Sequence, residues 1–183
     1  MKNKKKINTM PLTFIVGIPV LLLLIILIIG LFLPSQINKK IVLDLNYPPA
    51  LIWDRLADND FQLVWRTNIV NIEKIASGTN KTIYKEIYND DSFDTYEIRE
   101  WNPGRKVVKY YKQESREPGS LTVIILPAQT GGTSTIFIRS LHLNNPFTKI
   151  LIKLGVKNKN AEFSSFMEYI TLFTNNLKQN TLL

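Results

Sequence analysis

The chain contains no cysteine. That excludes disulfides, zinc thiolates, a cysteine nucleophile and the lipidated cysteine of a lipoprotein. It contains one histidine, His142. A Ser–His–Asp arrangement would rest on that residue alone, and no G-x-S-x-G turn accompanies it. Metal-ligand spacing is also missing. Asp90, Asp91 and Asp94 lie close in sequence but lack the loop length and distal Glu of an EF-hand, so no metal is expected. The glycines of "GTNK" and "TGGT" are not followed by Lys-Ser/Thr at a helix start, which argues against a phosphate loop and gives no sign of a cofactor. Acidic residues number 15 against 23 Lys and Arg, for a net charge of +8. Lys2, Lys4, Lys5 and Lys6 supply half of that. The remainder is mildly basic without a clustered stripe, so nucleic acid is not an expected partner.

Charge is missing locally as well. No charged residue occurs between Lys6 and Lys39. From Pro11 to Leu33 nearly every side chain is apolar, and roughly 20 such residues cross a bilayer core as a helix. A cleavable signal peptide would have an apolar part of about 7–15 residues and an A-x-A-like site. This run is longer, and "LFLPSQ" offers no such site. The pattern predicts a basic flank over 1–10 and an uncleaved transmembrane anchor over 11–33, with Pro19 tolerated near its start. Four lysines precede the run and Lys39 and Lys40 follow it. That asymmetry predicts a single-pass protein with a cytoplasmic N-terminus and the remainder outside.

Beyond the anchor, Ile37, Ile41, Leu43 and Leu45 occupy alternate positions of a first strand. Pro48 and Pro49 then open a helix, whose apolar face is Leu51, Ile52, Leu56 and Trp53. A short second helix follows, with Phe61, Leu63 and Val64 as its apolar set. From Ile69 onwards, runs rich in Ile, Val, Tyr and Thr alternate with the turn signals "SGTN", "NDDS", "NPGR", "REPG" and "TGG". They predict six strands near 69–76, 82–89, 92–101, 105–114, 120–128 and 133–143. In "NPGR", Pro103 presets φ and Gly104 accepts the positive φ of a type II turn. Asn145 and Pro146 start a short helix that Gly155 stops. Finally Phe163, Phe166, Met167, Ile170, Phe173 and Leu177 form one stripe on a long amphipathic helix.

The order strand, two short helices, six meandering strands and one long amphipathic helix resembles the START-like superfamily. That is the helix-grip fold of polyketide cyclases, lipid-transfer domains and many bacterial SRPBCC proteins. The segment "IVLDLNYPPALIWDRLADNDFQLVWRTNI" carries the resemblance, together with the C-terminal helix, over residues 37–180. It implies an α+β domain in which a curled seven-stranded antiparallel sheet wraps the C-terminal helix, here preceded by one transmembrane helix. The segment 146–155 departs from a typical member. Ile150, Leu151, Ile152 and Leu154 give it enough apolar area to lie against lipid.

The resemblance implies a cavity for a hydrophobic small molecule or lipid between sheet and last helix. The expected lining is Tyr84, Tyr88, Tyr96, Ile98, Ile136, Ile138, Phe163, Phe166, Met167 and Ile170; aromatics with polar tips suit an amphipathic ligand. A cyclase- or dehydratase-like enzyme would have to use His142, Glu86 and Tyr84, the weak catalytic candidates. His142 alternates with Ile136 and Ile138 on what is read as the inward face. A third reading is a partner-binding module whose cavity is filled by side chains, favoured by strands such as "LTVIIL" that are apolar on both faces. Glu97, Arg99, Lys85, Lys109 and Lys112 are expected on an outward charged face.

Overall fold

The computed structural model describes the backbone of residues 12–78, 81–112, 115, 118–128 and 132–179, with side chains from Val16 on except at residues 77, 78 and 81. The Lys2–Lys6 cluster and parts of "SGTN", "REPG" and "TGG" lie outside the described residues. The chain divides into two compact units, Met1–Ser35 with Leu143–Asn158, and Gln36–His142 with Lys159–Leu183.

In the larger unit, β1 (Gln36–Leu45) is followed by α2 (Pro49–Ala57), α3 (Asn59–Trp65), β2 (Ile69–Gly78), β3 (Lys81–Tyr88), β4 (Phe93–Asn102), β5 (Lys106–Tyr111), β6 (Gly119–Pro127), β7 (Thr133–His142) and the C-terminal helix α5 (Ser164–Gln179). α1 (Leu12–Phe32) and α4 (Pro146–Lys153) belong to the smaller unit. The sheet has seven strands in the order β1-β7-β6-β5-β4-β3-β2, and every pairing is antiparallel. Hairpin turns make five of those pairings local. β1 closes against β7 instead, with Ile41 opposite Phe137.

The turns follow their residues. Arg105 N donates to Asn102 O at 3.0 Å, and Gly104 takes φ 72°. At Gly119 the two strands come too close for a side chain. A Cβ there would lie 1.9 Å from the Ser140 carbonyl oxygen.

α5 seats Phe166, Ile170, Phe173 and Leu177 on the inner face of the sheet, where they join Tyr96, Val107, Tyr111, Leu121, Val123, Ile125, Phe137 and Leu141 in one core. The rings meet edge to face, Phe137 to Phe173 at 5.6 Å and Trp65 to Tyr169 at 5.1 Å, the arrangement that ring quadrupoles favour. Phe163 is buried in the 3-10 turn before α5, whereas Met167 is 39 % exposed and leaves the expected stripe. In α3 the expected apolar set also fails. Phe61 and Val64 are exposed, and Gln62 and Trp65 face inward. Gln62 is tolerated there because Nε2 donates to Leu56 O at 3.0 Å.

In the smaller unit α1 counts 21 residues with Pro19 inside and no charge. Its large apolar side chains from Val16 on are at least 37 % exposed on every side. Among the described residues no helix is long and apolar enough to cross a membrane; the side chains described begin four residues into α1, which leaves the described run short of a span. α4 starts as its sequence predicts, with Asn145 Oδ1 accepting from Phe147 N at 2.8 Å. Gly155, at φ 72°, follows its end.

Candidate functional site

The interior of the larger unit holds more charge than its sequence suggests. Arg66 leaves the end of α3 and meets Glu86 of β3 in a two-pronged ion pair, Nη1 to Oε1 at 2.7 Å and Nη2 to Oε2 at 3.0 Å. Glu86 is fully buried and Arg66 nearly so. Gln62 Oε1 accepts from Arg66 Nη1 and from Lys109 Nζ, both at 3.2 Å. Tyr88 OH donates to Asp94 Oδ2 at 2.9 Å and lies 3.4 Å from Glu86 Oε2. The planar fork of arginine suits this paired geometry, which satisfies both carboxylate oxygens away from water.

Burial alone would push the Glu86 carboxyl up. The Arg66 charge and its hydrogen bonds, with help from Lys109 and Tyr88, outweigh it and hold Glu86 below the ordinary range. Burial would lower the Arg66 guanidinium, and Glu86 more than reverses that. Lys109 is different. Burial pushes it down to about 8, with Arg66 adding to the drop and Glu86 only partly opposing it. Burial and then Glu86 raise Tyr88, Tyr96 and Tyr111. Burial raises Tyr169 as well.

The consequence for Lys109 is measurable. Its folded value lies below its ordinary 10.5, so from about pH 8 to 10 the unfolded chain binds more protons and stability rises with pH. The full difference corresponds to about 3 kcal/mol. Above pH 10 the raised tyrosines work the other way. Lys109→Met is therefore expected to flatten the pH 8–10 rise. Denaturant midpoints across that range check the effect.

Beside this network, between α5 and the sheet, lies a cavity of about 130 Å³. Polar walls come from Arg66, Asn68, Tyr88, Asp94, Tyr111 and Arg139, with Glu168 and Tyr169 from α5. Leu121, Phe166 and Leu172 supply the apolar part. Arg139 lies over the Tyr111 ring at 4.6 Å. Asn68 Oδ1 is buried and has no hydrogen-bond partner among the described residues.

Of the expected lining, Tyr88 and Phe166 stand at this cavity. Tyr96, Phe163 and Ile170 are buried in the core, with Tyr84 and Ile98 packed against it. Tyr84 stacks on Tyr96 at 5.4 Å.

Ile136, Ile138 and His142 must be corrected. The buried set of β7 includes Thr133, Thr135, Phe137, Arg139 and Leu141, so these three lie on the outer face. Both alternate sets of β7 carry apolar residues, and a one-residue change of phase exchanges the faces. His142 meets the Tyr110 ring at 6.1 Å on that outer side. Lys109 is the converse, expected outside and found 4 % exposed. Of the other two catalytic candidates, Glu86 is held by Arg66 and Tyr84 is stacked on Tyr96. Sequence reasoning passed over Arg66, Arg139 and Gln62. One signal was available for Arg66: it follows the run Leu63-Val64-Trp65 directly, and a cation carried inward beside Trp65 needs an interior carboxylate.

A curled antiparallel sheet gripping a C-terminal helix, with a mixed polar and apolar hollow between them, is the helix-grip arrangement. No protein-family model and no curated protein matches the chain. Solved structures do. A protein of unknown function from Staphylococcus aureus is 14 % identical with a TM-score of 0.62, over 81 % of this chain and 97 % of that one. Ara h 8.0201 is 13 % identical with a TM-score of 0.55, over 78 % of this chain and 99 % of that one. The Zhui aromatase/cyclase from a Streptomyces species is 11 % identical with a TM-score of 0.50, over 74 % and 96 %. At such identities the likeness is one of fold.

Proposed function

We propose that this chain is a membrane-anchored helix-grip domain that holds a small amphipathic molecule, with an apolar body and an acidic head. The carrying observation is the hollow beneath α5, lined by Arg139, Tyr111 and Tyr169 together with Leu121, Phe166 and Leu172, with Asp94 and Glu168 also at its wall and Arg66 already paired with Glu86. Its volume of about 130 Å³ is close to that of a cavity that holds benzene, about 150 Å³. That volume takes a ring or a short tail. The lone Asn68 Oδ1 adds an acceptor for a ligand hydroxyl.

Anchoring is supported by the length and uniformity of α1. Its 21 residues extend about 31 Å at 1.5 Å per residue, the thickness of a hydrocarbon core. An apolar helix exposed on every side has no place in water. The lysine asymmetry favours a cytoplasmic N-terminus. Only residues 33–35 separate α1 from β1 in the chain, so the helix-grip domain is tethered to the bilayer by a short link.

The test uses the full chain in nanodiscs, titrated by calorimetry with benzoate and with benzylamine. Benzoate is expected to bind at least about tenfold more tightly, the effect of one charge-assisted hydrogen bond, and Arg139→Met to remove the preference. Equal binding of the two probes, or none, would overturn the acidic-head reading.

A further inference from the structure

The smaller unit carries a second apolar surface, separate from that of α1. α4 buries none of its residues. Phe147, Leu151 and Leu154, spaced by four and three, share one helical face and are 39, 41 and 70 % exposed. Val156, just past the Gly155 turn, is 73 % exposed. An eight-residue helix in water has little reason to show that much apolar area. Lys149 and Lys153 lie four apart on another face and Lys157 follows, while residues 143–158 contain no Asp or Glu.

α4 begins against the last turns of α1. A Cβ on Gly30 would lie 2.7 Å from Pro146 Cβ, and Leu143 N donates to Ser35 O at 2.7 Å. Small residues permit this closeness, and Gly30 is the one residue of α1 described as buried. The apolar face of α4 therefore starts where the apolar surface of α1 ends.

We infer that α4 is an interfacial helix, lying on the leaflet from which α1 emerges, with Phe147, Leu151 and Leu154 dipping into the headgroup–acyl boundary and its lysines at anionic headgroups. The inference rests on the anchoring reading and adds a second lipid contact to it. Continuity with α1 and charge of one sign select a lipid surface over a protein groove. A short amphipathic helix of this composition reaches roughly 5–10 Å into the headgroup boundary, and each lysine gains from anionic lipid.

The absence of cysteine makes the test direct, because one introduced cysteine is a unique label site. Leu24→Cys, at mid-α1, and Leu154→Cys are each labelled with an environment-sensitive fluorophore. The full chain is placed in phosphatidylcholine nanodiscs with or without phosphatidylglycerol. Quenching is read from spin labels at headgroup or mid-chain depth and from aqueous iodide.

The expected result is a Leu24 label quenched at mid-chain depth and a Leu154 label quenched near the headgroups. The Leu154 quenching should strengthen at least about twofold with phosphatidylglycerol and lose that gain in Lys149→Gln/Lys153→Gln/Lys157→Gln. A Leu24 label in lipid with a Leu154 label open to iodide would leave the anchor standing and overturn the inference. A Leu24 label open to iodide would remove the anchor, and the inference with it.

Discussion

Replacing Glu86 with Gln is expected to cost about 3–5 kcal/mol of stability, because it leaves a buried guanidinium without its counter-charge. Arg66 cannot escape by losing its proton, since its pKa lies far above any working pH. Lys109 loses the same carboxylate, and Gln62 Oε1, shared by both cations at 3.2 Å, cannot replace a charge. The sign with pH follows. Glu86 is held below its ordinary value, so its contribution is complete above the usual carboxylate range and fades as pH falls through the lower folded value. Denaturant unfolding of wild type and Glu86→Gln between pH 3 and 7 is therefore expected to show a gap that narrows in acid. Arg66→Met/Glu86→Leu should recover most of the loss, as replacing an entire buried pair by apolar groups is often neutral or better. A cost under about 1 kcal/mol for the single change, the range of an exposed pair, would mean that the pair is open to water.

Phe173→Ala is the second large effect, expected to cost about 3–5 kcal/mol. Phe173 is fully buried. It stands edge-on to Trp65 and to Phe137, each at 5.6 Å, so one ring joins α5 to α3 and to the centre of the sheet. Truncation removes those contacts and leaves a void that close-packed neighbours fill only in part. Phe173→Leu keeps most of the volume and should cost less than about 1.5–2 kcal/mol. Equal, small losses in both variants would show that α5 does not sit on the sheet through this residue.

How much of this was legible beforehand differs from element to element. The predicted strands agree with the structure to within a residue or two at most ends, as with 133–143 against Thr133–His142. Pro and Gly at the turns act through the local backbone, and they act the same wherever the turn is placed. The α5 stripe was legible for a related reason: helical spacing puts Phe166, Ile170, Phe173 and Leu177 on one side in any surroundings. The pocket was not. Its walls come from α3, β3, β4, β5, β6, β7 and α5, and Arg66 finds Glu86 twenty residues away. Lys109 read as a surface lysine because nothing near it in sequence predicts Gln62, 47 residues earlier.

The amino-acid order by itself settled what depends on neighbours along the chain. These are the uncharged run of α1, the strand and helix periods, the turns at Pro and Gly, and the lack of any thiol chemistry. Tertiary structure alone decided which face of β7 turns inward, because both of its alternate sets are apolar enough to be buried and only the packing of Phe137 and Leu141 under α5 separates them. It also decided that the hollow is lined with arginine and tyrosine as well as aliphatic side chains. A charge can leave water only where the fold delivers an opposite charge to it.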